Sequence, residues 1–267
     1  MLKSLFRQLL GTNYPRPHRA GIDSRDSPAA RSPASEQESK LKQGMKCQKS
    51  GQLGEAERIY RSILEIEPAR ADALHLLGHV LQLQGKVPEA IDVFSRLTSV
   101  APQSAAVRFS LAGALLSQRR LPEAAQRFRE ALELQPDLLA ALESLADILA
   151  VLRQADEAEK CYERALQLKP DADETHMKHG NLLLSQGRIP EAMASYRRAL
   201  DVNPGLTYAH SNLIVVMGFD VGSGMDEQFA ERRRWQERHV RPLGIVKPRH
   251  SNKIGRASCR ERVYVLV

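Results

Sequence analysis

The side chains able to do chemistry are few and scattered along the 267 residues. His75 and His79 lie four residues apart, and His176 and His179 three apart, so each pair shares one face of a helix and would offer two corners of a metal site. No third ligand follows either pair at a metal-site spacing, and lining of a polar surface is the reading given to both. There is no Ser/His/Asp arrangement, no pair of carboxylates set for acid–base work and no glycine loop that would cradle phosphate. The three cysteines, Cys47, Cys161 and Cys259, form no CxxC and are too few for a disulfide framework. A reduced, cytoplasmic protein is expected, with no catalytic centre, cofactor or metal of its own.

The formal charge of +7 invites a nucleic-acid reading, but its distribution argues against one. Residues 37–206 hold 22 Lys/Arg and 23 Asp/Glu, a net of −1, so the positive excess lies in the flanks. Neither a nucleic-acid partner nor a membrane span is expected. The opening MLKSLFRQLL is short and interrupted by Arg7, so it is neither a secretory nor a membrane-spanning segment; a short N-terminal helix is expected, either a weakly packing end or a small amphipathic anchor through Leu2, Leu5, Phe6, Leu9 and Leu10. Asn13 to Glu36, rich in Pro, Ser, Arg and Ala, reads as a disordered tether that completes a 1–36 leader.

What must position any functional residue is a repeat. Pro68, Pro102, Pro136, Pro170 and Pro204 stand 34 residues apart with no insertion, and they frame five units: 37–70, 71–104, 105–138, 139–172 and 173–206. In that frame position 8 is small (Gly44, Gly78, Ala112, Ala146, Gly180) and position 20 is alanine (Ala56, Ala90, Ala124, Ala158, Ala192). Position 24 is aromatic (Tyr60, Phe94, Phe128, Tyr162, Tyr196). Helical periodicity puts positions 4, 7, 8 and 11 on one face of a first helix, and 20, 24 and 27 on one face of a second. The small residues permit close helix approach, and the aromatic is expected to fill the gap toward the next unit. Position 15, Gly51, Gly85 and Gly187 but Arg119 and Arg153, suits a left-handed helix cap. This is the tetratricopeptide repeat (TPR) pattern. The resemblance implies an all-α, right-handed TPR superhelix of five helix-turn-helix units, with residues 207–222 supplying a capping helix and loop.

In such a superhelix, positions 2, 5, 9, 12 and 13 of the first helices line the concave face, which holds extended peptides. The candidate groove residues are His75, His79, Phe109, Leu116, Asp147, Val151, Met177, Asn181, Leu184 and Asn212. Lacking a Lys/Arg clamp, this lining suits an extended protein segment with some apolar side chains better than an acidic tail. The alternative is that several of these residues merely pad neighbouring helices.

Beyond the array, AHSNLIVVMGFD leads to a predicted helix from Met225 to Val240, stopped by Pro242 and followed by KPRHSN. His210, Ser211, Asn212, Leu213, Phe229, Arg234, Trp235, His239, Pro242, Leu243, His250 and Asn252 resemble the junction of the SPINDLY/O-GlcNAc transferase family. There a TPR superhelix runs into a two-lobed nucleotide-sugar glycosyltransferase domain. The resemblance implies that residues 223–253 are a linker to a glycosyltransferase domain that this chain does not reach, and that the groove recruits acceptor polypeptides. A nucleotide sugar would then be bound only by the full-length parent. Animal members carry an asparagine ladder at position 6, whereas here position 6 reads Lys42, Leu76, Ser110, Ser144, Lys178 and Asn212, closer to bacterial or plant-like SPINDLY relatives. A stand-alone TPR adaptor with no enzymatic role is the alternative. IGRASCRERV, Ile254 to Val263, is the translation of an oligonucleotide resembling a common sequencing adapter, so residues 254–267 are expected to be a non-native tail.

Overall fold

The computed structural model describes residues 33–220 and 222–243. The leader up to residue 32 and the tail expected at 254–267 lie outside the described residues. Five helix pairs follow the repeat frame: α1 (Pro33–Lys49) with α2 (Leu53–Ile66), α3 (Ala71–Leu83) with α4 (Val87–Val100), α5 (Ala105–Ser117) with α6 (Leu121–Leu134), α7 (Leu139–Val151) with α8 (Ala155–Leu168), and α9 (Asp173–Ser185) with α10 (Ile189–Val202). Then come α11 (Thr207–Met217) and α12 (Met225–Trp235), which runs on into a π-helical turn, Gln236–Val240, and a 3-10 turn, Arg241–Leu243. The first helix opens at Pro33, so its first turn takes in residues assigned above to the tether.

In three of the five units the glycine at position 8 marks a seat for the position-24 ring. An added Cβ at position 8 would lie 2.5 Å from the Tyr60 ring at Gly44, 2.5 Å from the Phe94 ring at Gly78 and 2.7 Å from the Tyr196 ring at Gly180. The position-24 ring therefore rests on position 8 of its own unit; the expectation that it mainly reaches toward the next unit is corrected. The reason is proximity: within a helix hairpin the second helix crosses the first where a small residue leaves room. All five position-20 alanines and the position-27 residues Ile63, Leu97, Ala131, Ala165 and Ala199 are fully buried beside it.

The turns between paired helices share one hydrogen-bond pattern. In every unit the position-16 N–H donates to the position-11 carbonyl, from Gln52 to Cys47 at 2.9 Å through Arg188 to Leu183 at 3.0 Å. That closure needs a left-handed residue at position 15. Gly51, Gly85 and Gly187 adopt it with φ of 80°, 78° and 75°, and Arg119 and Arg153 are forced into it at 58° and 62°. Nothing lies within 4 Å of an added Cβ at the three glycines, so backbone conformation rather than space favours glycine there.

On the outside, charges tie second helices of successive units together. Arg129 donates to both Glu157 carboxylate oxygens at 2.8 and 2.9 Å, and Arg61 pairs with Glu89 at 2.8 Å, in both cases position 25 to position 19 of the next unit. Arg197, also at position 25, pairs with Glu227 on α12 at 3.0 Å. Helix α12 thus stands where the second helix of a sixth unit would be, although the sixth unit has Ile214 at position 8 and Ala230 at position 24.

Two stability outcomes follow from these seats and caps. Phe94→Ala is expected to cost about 3–5 kcal/mol through the cavity it leaves, read as a lowered urea midpoint. Arg119→Gly is expected to raise that midpoint by about 1 kcal/mol, because it removes a side chain from the left-handed region.

Candidate functional site

The first helices α3, α5, α7, α9 and α11 lie side by side, and their polar side chains meet across the seams. Lys178 of α9 donates to Asp147 of α7 at 2.7 Å, Asn212 of α11 to Asn181 of α9 at 2.9 Å, and His75 of α3 lies 3.2 Å from Ser110 of α5. Ser110, Lys178 and Asn212 all hold position 6 and link α5, α9 and α11 to the first helix before each, whereas Leu76 has no polar group there and Ser144 bonds the Ala140 carbonyl of its own helix. Thr175 adds a bond to Glu143 at 2.6 Å.

From behind, the core aromatics reach the same surface. The hydroxyl of Tyr162 donates to Asp147 at 2.6 Å and that of Tyr196 to Asn181 at 2.7 Å. In the units where position 24 is phenylalanine, position 9 is His79 or Gly113, neither of which needs a hydroxyl donor. Because Asn181 Oδ1 accepts from both Tyr196 and Asn212, its amide hydrogens are left to face outward. A hollow of about 420 Å³ opens here, lined by Asp147, Val151, Tyr162, Lys178, Asn181 and Ser185 among others. Of the sequence candidates, Asp147, Val151 and Asn181 meet in it, with Asn212 bonded at its edge.

The remaining candidates are placed differently. Phe109 is half-buried, edge-on to Phe128 with ring centroids 5.5 Å apart, and Leu116 packs on the same core. Met177 and Leu184 pack partly buried against the core around Tyr196. His75 and His79 meet edge-on with centroids 4.5 Å apart, and the His79 ring stands edge-on to Phe94 at 5.4 Å. Their Nε2 atoms are 3.1 Å apart. Ser110 gives its hydroxyl hydrogen to the Ala106 carbonyl at 3.0 Å, which leaves its oxygen free to accept from a His75 Nε2–H. His176 and His179 do not converge: His176 donates to the Pro170 carbonyl at 2.9 Å, while His179 lies beside Tyr162. Among the described residues no group of three or more His, Cys, Asp or Glu side chains gathers to hold a metal, and no helix is long and apolar enough to cross a membrane.

Of the sixth first helix, sequence reasoning placed Asn212 alone in this surface and missed its apolar residues. Tyr208, Val215 and Phe219 hold positions 2, 9 and 13 if the frame is carried one unit further, and all three are exposed. Carrying the frame past Leu206 would have found them.

Helix α12 covers the opposite side of α11 through polar contacts. His210 is 1% exposed, with Nδ1 3.0 Å from His239 Nε2 and Nε2 2.8 Å from Glu231 Oε1. The Trp235 indole N–H donates to Ser211 at 3.1 Å, and Gln228 donates to the Met217 carbonyl at 3.1 Å. Burial holds His210 below the usual histidine value.

Burial also pulls His75 down to about 4 and His79 to about 3. The unfolded chain takes up these two protons near the ordinary value of 6.5, the folded chain only at much lower pH. Their contribution to stability is therefore full above pH 6.5 and declines as pH falls from 6.5 toward 4. The urea midpoint is expected to fall between about pH 7 and 5, and His79→Gln to make that fall shallower.

Comparison with known proteins bears on the family. The tetratricopeptide-repeat model matches residues 41–99, 76–138 and 143–207, more than half of the chain. No curated protein matches the chain. Among solved structures, the MamA protein aligns at 20% identity with a TM-score of 0.61, covering 64% of this chain and 93% of its own. PilF of Pseudomonas aeruginosa aligns at 21% identity and TM-score 0.61, covering 75% and 87%, and YrrB, described as a TPR protein with an unusual peptide-binding site, at 18% and 0.60, covering 69% and 97%. Identities this low establish a shared fold. With the repeat model matching across its helix pairs, this chain belongs to the tetratricopeptide-repeat family.

Proposed function

We propose that this chain is a protein-interaction scaffold that holds an extended polypeptide along its first-helix face, and that it serves as the acceptor-recruiting region of a protein O-linked glycosyltransferase of the SPINDLY/O-GlcNAc transferase type. The scaffold part is supported by the hollow at Asp147, Val151 and Asn181, where exposed apolar surface lies beside outward-facing amide hydrogens that can bind a peptide backbone. The transferase part is supported by one observation. Four of the residues that carry the resemblance, His210, Ser211, Trp235 and His239, are neighbours in space and join α11 to α12. On this reading α12 is a built joint that fixes the direction in which a following domain would leave the array. The nucleotide sugar and all transfer chemistry belong to that domain.

A stand-alone adaptor is the second reading. It is favoured by the likeness to YrrB, 97% of whose chain is spanned by the shared fold and which is itself described by its peptide-binding site.

Reading the native gene across the codon for Lys253 separates the two. The frame is expected to continue into a two-lobed glycosyltransferase domain whose product labels Ser or Thr side chains from a nucleotide sugar. Val151→Glu in that product should lower transfer about tenfold with an unchanged helical circular dichroism spectrum. A stop codon soon after Lys253 would sink the transferase reading and leave the adaptor.

A further inference from the structure

Resting on the scaffold reading above, we infer that the C-terminal third of the groove selects a segment carrying a basic residue and a bulky apolar residue about three positions apart. The apolar half of this specificity lies on α11 and the turn that follows it, which carries Phe219. Tyr208, Val215 and Phe219 are 76%, 54% and 66% exposed, and with Asn212 they form one stripe at helical spacing. Asn212 donates to Asn181, so the stripe borders the hollow rather than facing away from it. Two aromatics and a valine standing together in water mark a contact surface. Helix α12 covers His210 and bonds Ser211 at the flank of this stripe, while Tyr208, Val215 and Phe219 stay exposed.

The charged half lies one unit earlier. Helices α7 and α9 carry Glu143, Asp147, Asp173 and Glu174 against one Lys or Arg, Lys178, which is committed to Asp147 at 2.7 Å. Glu143 receives only the Thr175 hydroxyl, and neither it nor Glu174 has a cationic partner among the described residues. Arg153, which also lines the hollow, stands at the other end of α7, about 15 Å along the helix from Glu143. The lip formed by the N-terminal halves of α7 and α9 is therefore acidic, and charge complementarity calls for Lys or Arg in the occupant. Glu174 and Tyr208 hold the same frame position on neighbouring first helices, about 10 Å apart, a span an extended chain covers in about three residues. A partner segment of that composition is the occupant, in preference to a second copy of the chain.

The test uses the full chain and three labelled peptides of about twelve residues, long enough at ~40 Å to cross three units. One carries Lys and Trp three positions apart in a Ser/Gly background, the second has Glu for that Lys, and the third has Ser for that Trp. Fluorescence anisotropy is expected to show the Lys/Trp peptide binding about tenfold tighter than either control. The double variant Glu143→Gln, Glu174→Gln should bring the Lys and Glu peptides to near parity, and Phe219→Ser should erase the benefit of Trp. Equal affinity for all three peptides, no binding of any, or a preference that survives the glutamine substitutions overturns the inference. So does self-association that Phe219→Ser abolishes, since a second copy would then be the occupant. Val151→Glu tells the two readings apart: if it abolishes equal binding, the scaffold reading stands and this specificity falls, whereas unaffected binding removes both.

Discussion

The seat of an aromatic ring on a small residue within each helix pair is the constraint on which the molecule depends. Tyr60 on Gly44, Phe94 on Gly78 and Tyr196 on Gly180 fix how closely two helices cross, and the alanine at position 20 follows from that closeness. Packing at this density leaves little freedom in the crossing geometry, and with Ala112 and Ala146 buried at the same place in the other two units, five similar units result. A regular succession of first helices is the result. No single residue designs the shared surface; it is the sum of repeated crossings.

Much of this was legible in spacing alone. The 34-residue proline period, the small and aromatic positions and the left-handed place at position 15 each reflect local sterics, which a sequence pattern records directly. Even Arg119 and Arg153, which break the glycine pattern, obey the geometry the neighbouring hydrogen bonds impose. What spacing did not reveal was how side chains divide between core and surface. Phe109 and His79 share a helical face with Val151 in the repeat frame, yet Phe109 leans onto Phe128 and His79 onto Phe94, while Val151 meets solvent. Those differences turn on contacts with the local position-24 ring, which is fifteen residues from His79 and nineteen from Phe109. The sixth unit was hidden for another reason: Ile214 and Ala230 occupy the two places where the seat would have been recognised.

The tyrosine hydroxyls connect the core to the proposed function. Tyr162 and Tyr196 bury their rings in the seats and present their oxygens to Asp147 and Asn181, so the orientation of those groove side chains is set from inside. Position-6 residues restrain them from the side. A surface held from two directions is already ordered before a partner arrives, which lowers the entropy lost on binding. The exposed stripe on α11 has no such bracing except at Asn212.

The joint between α11 and α12 differs in kind from the five helix pairs before it. No residue of α12 is buried, and the helix is retained by Glu231, Trp235, His239, Gln228 and the Arg197–Glu227 pair. Polar bonds of this sort rupture over a short extension, whereas an interlocked apolar seat must be pulled apart through its whole depth. Under tension applied at its C-terminal end, the chain would peel α12 away first, leaving the five-unit spring intact and α11 bare on the side α12 had covered.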